Sequence, residues 1–262
     1  GIIAHELAHQ WFGDQLTCRT WAHMWLNEGM TTWTADEWLR AEWGDDEWAS
    51  SVFARYAGLV RADDGTPHPM VGTFFNRSGS RRSAHVYTKG ATVTHMLRVL
   101  LGDDAFFRGI KGYLTKNQHG LVETEDLRRA MEDASGLHLR WFFDQWVYLA
   151  GHPKLTVTHA VDAEAGQVRV SIAQTQKTDG LVPSFHIPLD LEIATTTGTR
   201  MQRVVLDGPK TAVALDLGGA ELLYVGVDPY AGVLMDLDQK QSAVEWANQL
   251  QSPNAFTRRR AV

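Results

Sequence analysis

Two histidines four residues apart, followed at a distance by a glutamate, constrain this chain more than any other feature. In His5-Glu6-Leu7-Ala8-His9 the spacing puts both imidazoles on one face of a helix, where each can aim a ring nitrogen at a single metal ion. Eighteen residues separate His9 from Glu28, enough for that helix to end, turn and return a second helix carrying a third ligand. Two histidines and one carboxylate leave a fourth position open for water, the ligand set of a catalytic zinc rather than a structural one. Glu6, one residue round the turn, can reach that water. The pattern reads as a zinc hydrolase.

The surroundings strengthen the reading. Ile2, Ile3, Leu7, Trp11 and Phe12 flank the histidines and predict a helix built into a core, with Gly13-Asp14 as its stop signal. Glu28 lies between Trp25, Leu26 and Trp33, which favours a paired or metal-bound carboxylate over a solvated one. Seven of the ten tryptophans fall between Trp11 and Trp48, and core packing around the metal helices is their expected role. The remaining histidines lack a partner at the four-residue spacing and read as packed or solvated side chains. His85, two residues before Tyr87, is the one to watch.

With 25 basic and 31 acidic side chains the formal charge is −6, so no basic field points to nucleic acid. Arg258-Arg259-Arg260 reads as a solvated helix face. No apolar run approaches the ~20 residues a membrane span needs. The single cysteine, Cys18, excludes an intrachain disulfide and reads as a small buried hydrophobe. Compartment stays open on this ground, and the cytoplasm is the expectation.

Periodicity changes partway along the chain. Asp45-Asp46-Glu47 opens a helix with acids in its first turn, and Val93, Met96, Leu97, Leu100 and Leu101 follow the spacing of a core-facing helix. Thr124 is the candidate N-cap of a helix ending near Gly136, and a last helix runs roughly from Leu139 to Leu149. Between the helix that opens at Asp45 and the one around Val93, Ala62 to Ser83 reads as a loop, with Arg77, Arg81 and Arg82 as possible substrate contacts. Beyond Lys154 the period becomes two, in short runs such as Val168–Ile172, Ile187–Ile193 and Leu222–Val227, the signature of a β-sandwich that Asp228-Pro229 closes. The last thirty or so residues read as helical. The expected fold class is therefore multidomain α + β: a mostly helical lobe over 1–153, a β-sandwich over 154–232, and the start of a helical domain over 233–262.

As a set, His5-Glu6-Leu7-Ala8-His9-Gln10-Trp11-Phe12-Gly13, Trp25-Leu26-Asn27-Glu28-Gly29 and Tyr87-Thr88-Lys89-Gly90 resemble the aminopeptidase N family of gluzincin zinc peptidases. Phe142-Phe143-Asp144-Gln145-Trp146 and Gly151-His152-Pro153 resemble the end of that family's catalytic domain. The resemblance implies a thermolysin-like catalytic domain, one Zn2+ held by His5, His9 and Glu28, Glu6 as general base, and Tyr87 as donor to the oxygen that becomes negative. Peptides with a free N-terminus are the implied substrates, and the C-terminal helices would begin a solenoid. Lys89 is expected either to act electrostatically on Tyr87 or to lie on a helix surface.

Three departures bear on that expectation. Ala35 stands where the family carries an acid seven positions after the glutamate ligand, with Thr31, Thr32 or Asp36 as candidate substitutes. Thr88 replaces an acid after the tyrosine, and Met30 an aromatic after Gly29. The chain opens Gly1-Ile2-Ile3-Ala4 with neither initiator methionine nor signal peptide, and no Gly-x-Met-x-Asn block is present, so an upstream domain of a longer parent chain is expected. Two other functions stay open: a zinc hydrolase of different specificity (endopeptidase or epoxide hydrolase), and a non-catalytic fragment that binds zinc or peptide.

Overall fold

The computed structural model describes residues 1–65, 67–72, 84–177, 182 and 184–262. Arg77, Arg81 and Arg82 lie outside them. The chain is mixed α and β and divides into two compact units, Gly1–Trp48 with Ala54–Gly151, and Ala49–Phe53 with His152–Val262. Among the described residues no helix is long and apolar enough to cross a membrane.

The first unit is helical. Helix α1 (Ile2–Ala8) is followed by a short strand β1 (Leu16–Cys18), a 3-10 turn (Trp21–His23) and the long helix α2 (Trp25–Trp43). Helix α3 (Asp45–Gly65) opens on the three expected acids. A π-helical segment (Ala84–Lys89) runs directly into α4 (Gly90–Leu101), and α5 (Asp103–Lys116), β2 (Gly120–Val122), α6 (Thr124–Ser135), α7 (Arg140–Phe143) and a second π segment (Asp144–Tyr148) complete the unit. Leu26, Gly29, Met30 and Trp33 form the buried stripe of α2, at the spacing of one helix face.

Three expectations about this unit need correction. Ile2, Ile3, Leu7 and Trp11 are 76%, 74%, 62% and 49% exposed, so they are not core. Only Ala8 and Phe12 on that segment are buried, because α1 turns just one narrow face toward α2 and the histidines occupy much of it. Of the seven clustered tryptophans, Trp25, Trp33 and Trp48 are buried, whereas Trp11, Trp21, Trp38 and Trp43 are exposed. A helix in contact along one face buries only the rings on that stripe. The cap of α6 also moves by one residue, to Glu123, whose N–H donates to the Asp126 carboxylate at 2.8 Å. The Thr124 hydroxyl is engaged elsewhere, by His23 and Trp25.

The second unit contains two sheets, ordered β7-β4-β3-β9 and β6-β5-β8. Their strands are β3 (Lys154–Asp162), β4 (Gln167–Gln174), β5 (Ile187–Thr195), β6 (Gly198–Leu206), β7 (Lys210–Asp216), β8 (Leu222–Val227) and β9 (Asp236–Gln239). Alternate residues Val168, Val170 and Ile172 of β4 and Leu189, Leu191 and Ile193 of β5 are buried, as period-two patterning requires. On β5 the intervening polar residues are buried as well. Asp190 takes a bidentate pair from Arg203, at 2.8 and 2.7 Å, and Glu192 accepts from Tyr224 at 2.6 Å and Ser252 at 3.0 Å. Strand β9 pairs parallel with β3, so the strand system continues past the boundary expected at 232. Helices α8 (Ala243–Gln249) and α9 (Ala255–Arg260) end the chain.

Candidate metal centre

Helix α1 ends at Ala8, and His9 follows in the same right-handed conformation (φ −60°, ψ −20°), so the turn carrying both histidines is unbroken. Their rings meet edge to face with centroids 4.9 Å apart. From α2, Glu28 reaches between them, its Oε2 lying 3.3 Å from His5 Nε2 and 3.4 Å from His9 Nε2. A tetrahedron with metal–ligand arms of about 2.05 Å has edges of about 3.3 Å. Both histidine–glutamate separations therefore match what one zinc ion demands. Among the described residues, His5, His9 and Glu28 are the one group of three His, Cys, Asp or Glu side chains able to hold a metal ion.

The start of α2 is fixed from several sides. Trp25 Nε1 donates to the Thr124 hydroxyl at 3.0 Å, and Thr124 also meets His23 Nδ1 at 3.0 Å. The Cys18 N–H donates to Asn27 Oδ1 at 3.2 Å, while β1 pairs parallel with β2. Glu28 is thus carried on a turn that is tied to β1 and α6 by fixed partners. Gly13, at φ +146°, closes the loop after the histidines, and a Cβ there would stand 3.1 Å from His9 Nδ1.

Two glycines set the distance between α2 and the tyrosine segment. A Cβ on Gly29 would lie 2.7 Å from Gly90 Cα, and one on Gly90 would lie 2.8 Å from Gly29 Cα. Backbone meets backbone here, with no side chain to give way, and this close crossing holds Glu28 beside Tyr87. Gly90→Ala is expected to destabilise the chain by about 1–3 kcal/mol, the usual cost of overpacking. Gly58→Ala, in a helix with nothing within 4 Å of the new methyl, should instead stabilise by about 0.5–1 kcal/mol. Urea unfolding of the two variants checks the contrast.

Tyr87 stacks on His5, with centroids 6.0 Å apart and planes 20° from parallel, and is 38% exposed. Burial, with the carboxylates of Glu28 and Glu6 adding to it, pushes the phenol's pKa up. Glu6 itself is exposed on α1. His5, His9, Glu28 and Tyr87 thus gather at one place, and Glu6, next to His5 on α1, is near enough for its carboxylate to act on the Tyr87 phenol. Lys89 is not on a helix surface: it is 0% exposed, and its Nζ donates to the Gly151 carbonyl at 3.2 Å. Burial of an ammonium is tolerable where carbonyl oxygen accepts from it, and the bond ties the tyrosine segment to Gly151. His85 is buried against the His68 ring, with centroids 3.7 Å apart.

Of the candidate substitutes for an acid at position 35, Asp36 is committed to an ion pair with Arg55. The two threonines face the histidines instead. Thr32 Oγ1 lies 3.3 Å from His5 Nδ1, and Thr31 Oγ1 lies 3.3 Å from His9 Nδ1. The Phe12 carbonyl also accepts from His9 Nδ1, at 2.9 Å. The Gly29–Gly90 crossing and the Asn27 anchor were not anticipated from sequence. A glycine directly following each motif residue, Glu28 and Lys89, is the only local signal of the crossing.

Known proteins resemble this chain in sequence and fold. The chain is 36% identical to an aminopeptidase N of Lactococcus lactis over 164 residues, which is 58% of this chain and 19% of that protein. An aminopeptidase N of Haemophilus influenzae is 30% identical over 214 residues, 76% of this chain and 23% of the relative. Tricorn protease-interacting factor F2 of Thermoplasma volcanium is 28% identical over 262 residues, covering 93% of this chain and 31% of that protein. This chain therefore spans between about a fifth and a third of the length of these relatives. A crystal structure of Legionella pneumophila aminopeptidase A in complex with aspartic acid has the same fold, with TM-score 0.82 at 21% identity, over 99% of this chain and 29% of that one. The model of the peptidase family M1 domain matches residues 1–146, which include both histidines, Glu28 and Tyr87. By that match the chain belongs to peptidase family M1.

Proposed function

We propose that this chain carries the reaction centre of a zinc-dependent aminopeptidase, removing N-terminal residues from peptides. The observation that carries the proposal is the convergence of His5 Nε2, His9 Nε2 and one Glu28 oxygen within 4.8 Å of one another, with both histidine–glutamate separations at the edge length of a zinc tetrahedron. A zinc ion held there would acidify a water molecule, lowering its pKa from about 16 to about 7, and polarise the scissile carbonyl.

The chain's own side chains supply the remaining chemistry. Glu6 accepts the proton of the attacking water and returns it to the departing amine. Tyr87 donates its phenolic hydrogen to the carbonyl oxygen as negative charge builds there, a preorganised donor of the oxyanion-hole kind. A phenol's ordinary pKa of about 10 already keeps that hydrogen in place at neutral pH. Glu28 holds its carboxylate between the two rings, and Lys89 and the glycine crossing keep the tyrosine segment close to it.

Aminopeptidase specificity is favoured over endopeptidase or epoxide chemistry because three of the relatives and neighbours above are named aminopeptidases. The test is a peptide with a free N-terminus against its N-acetylated twin, with zinc content measured on the same sample. One zinc per chain and cleavage of the free peptide alone are expected. Equal cleavage of both would make it an endopeptidase, and bound zinc with no cleavage would leave a binding fragment.

A further inference from the structure

We propose that Thr32 at His5, and the Phe12 carbonyl aided by Thr31 at His9, hold the two histidines in the ring form that leaves Nε2 free for metal, with hydroxyl and carbonyl oxygens as the Nδ1 partners among the described residues. The inference rests on the zinc reading above and concerns what orients its ligands. An imidazole offers a metal only the nitrogen that carries no hydrogen, so whatever engages the other nitrogen decides whether the ligand is ready.

At His5 the decision falls to one hydroxyl. Thr32 Oγ1 donates its single hydrogen to the Glu28 carbonyl, at 2.7 Å. Having no second hydrogen, the same oxygen can only accept from His5, and it lies 3.3 Å from Nδ1. The hydrogen of His5 is thereby kept on Nδ1, and Nε2 faces Glu28 Oε2 with a lone pair. Because Thr32 takes its own orientation from the carbonyl of Glu28, one hydroxyl links two of the three ligands.

At His9 the same outcome is reached differently. The Phe12 carbonyl, 2.9 Å from Nδ1, has no hydrogen to give, so Nδ1 must be the protonated nitrogen. Thr31 Oγ1 lies 3.3 Å from both that nitrogen and the same carbonyl, a supporting contact. Loss of the Thr31 hydroxyl therefore leaves His9 a partner, whereas loss of the Thr32 hydroxyl removes the one just described for His5. At position 35 the buried alanine offers no polar side-chain atom, and Asp36 is held by Arg55.

The two threonines should accordingly differ. Zinc affinity, measured on the full chain by competition with a chromogenic chelator, should fall about 10- to 100-fold in Thr32→Val. Valine keeps the shape and the β-branch, so the helix is preserved. Thr32→Ser, which restores the hydroxyl, should return within about threefold of the parent, and Thr31→Val should lose less than Thr32→Val. The visible absorption of the Co2+-substituted protein should shift in Thr32→Val and recover in Thr32→Ser, a change that a merely packed methyl would not cause. Parental affinity in Thr32→Val overturns the proposal, as does equal loss in the valine and serine variants. Failure of the unaltered chain to take up zinc overturns the metal reading itself, and this proposal with it.

Discussion

Glu6→Gln is expected to keep one zinc per chain and to lose about two to four decades of turnover on an N-terminal amino-acyl anilide. Glutamine has the shape of glutamate but cannot take a proton at neutral pH, so the step it removes is proton abstraction from water and its later delivery to the amine. The metal should stay, because the three converging ligand atoms belong to His5, His9 and Glu28. Stability should barely change, since Glu6 is exposed and substitutions of that kind usually stay within about 0.5 kcal/mol. The paired measurement decides between roles. Turnover within a few-fold of the parent would remove Glu6 from the chemistry, and zinc lost in step with activity would make it a ligand instead of a base.

The centre was legible because its chemistry fixes its spacing. Helical periodicity alone requires that His5 and His9 share a face, and the length between His9 and Glu28 admits a turn and a returning helix. Sequence was silent on the fine positioning. The contact between Gly29 and Gly90 joins residues sixty-one positions apart, and nothing local marks which glycine meets which. Lys89 illustrates a different gap: a lysine is expected at the surface, and only the folded chain brings the Gly151 carbonyl to its ammonium.

The misreadings share a physical origin. Hydrophobic residues at Ile2, Ile3 and Leu7 say that a helix could be buried on several sides, whereas contact with α2 covers one. Period two along β5 taken alone would put Asp190 and Glu192 on a solvated face, yet both are buried and satisfied by Arg203, Tyr224 and Ser252. Partners contributed from distant strands and helices can convert a polar stripe into interior, which period-two patterning does not register. Strand β9, Asp236-Leu237-Asp238-Gln239, lacks the β-branched residues that announced its neighbours, and its pairing with β3 supplies the structure instead.

Glu28→Ala should abolish the response of the chain to zinc. The substitution removes the one carboxylate among the described residues that lies within 3.4 Å of both imidazoles, leaving two ligands where three had converged. If three ligands share a binding free energy of roughly 10 kcal/mol, the loss of one costs about 3 kcal/mol, or about two decades in affinity. The parent chain, at a zinc concentration about a hundredfold above its dissociation constant, gains about 2.7 kcal/mol of stability by mass action. For a unit of this size that raises the melting temperature by roughly 5–10 °C. Glu28→Ala at the same zinc concentration should gain less than about 0.5 kcal/mol, and its melting curve should barely move. Glu37→Ala, on the same helix as Glu28, breaks an ion pair with Arg98 of α4 and serves as the control: it should lower the metal-free melting point yet keep the full zinc increment. An undiminished increment in Glu28→Ala would mean that the ion sits elsewhere, and the convergence of the three side chains would lose its meaning as a metal site.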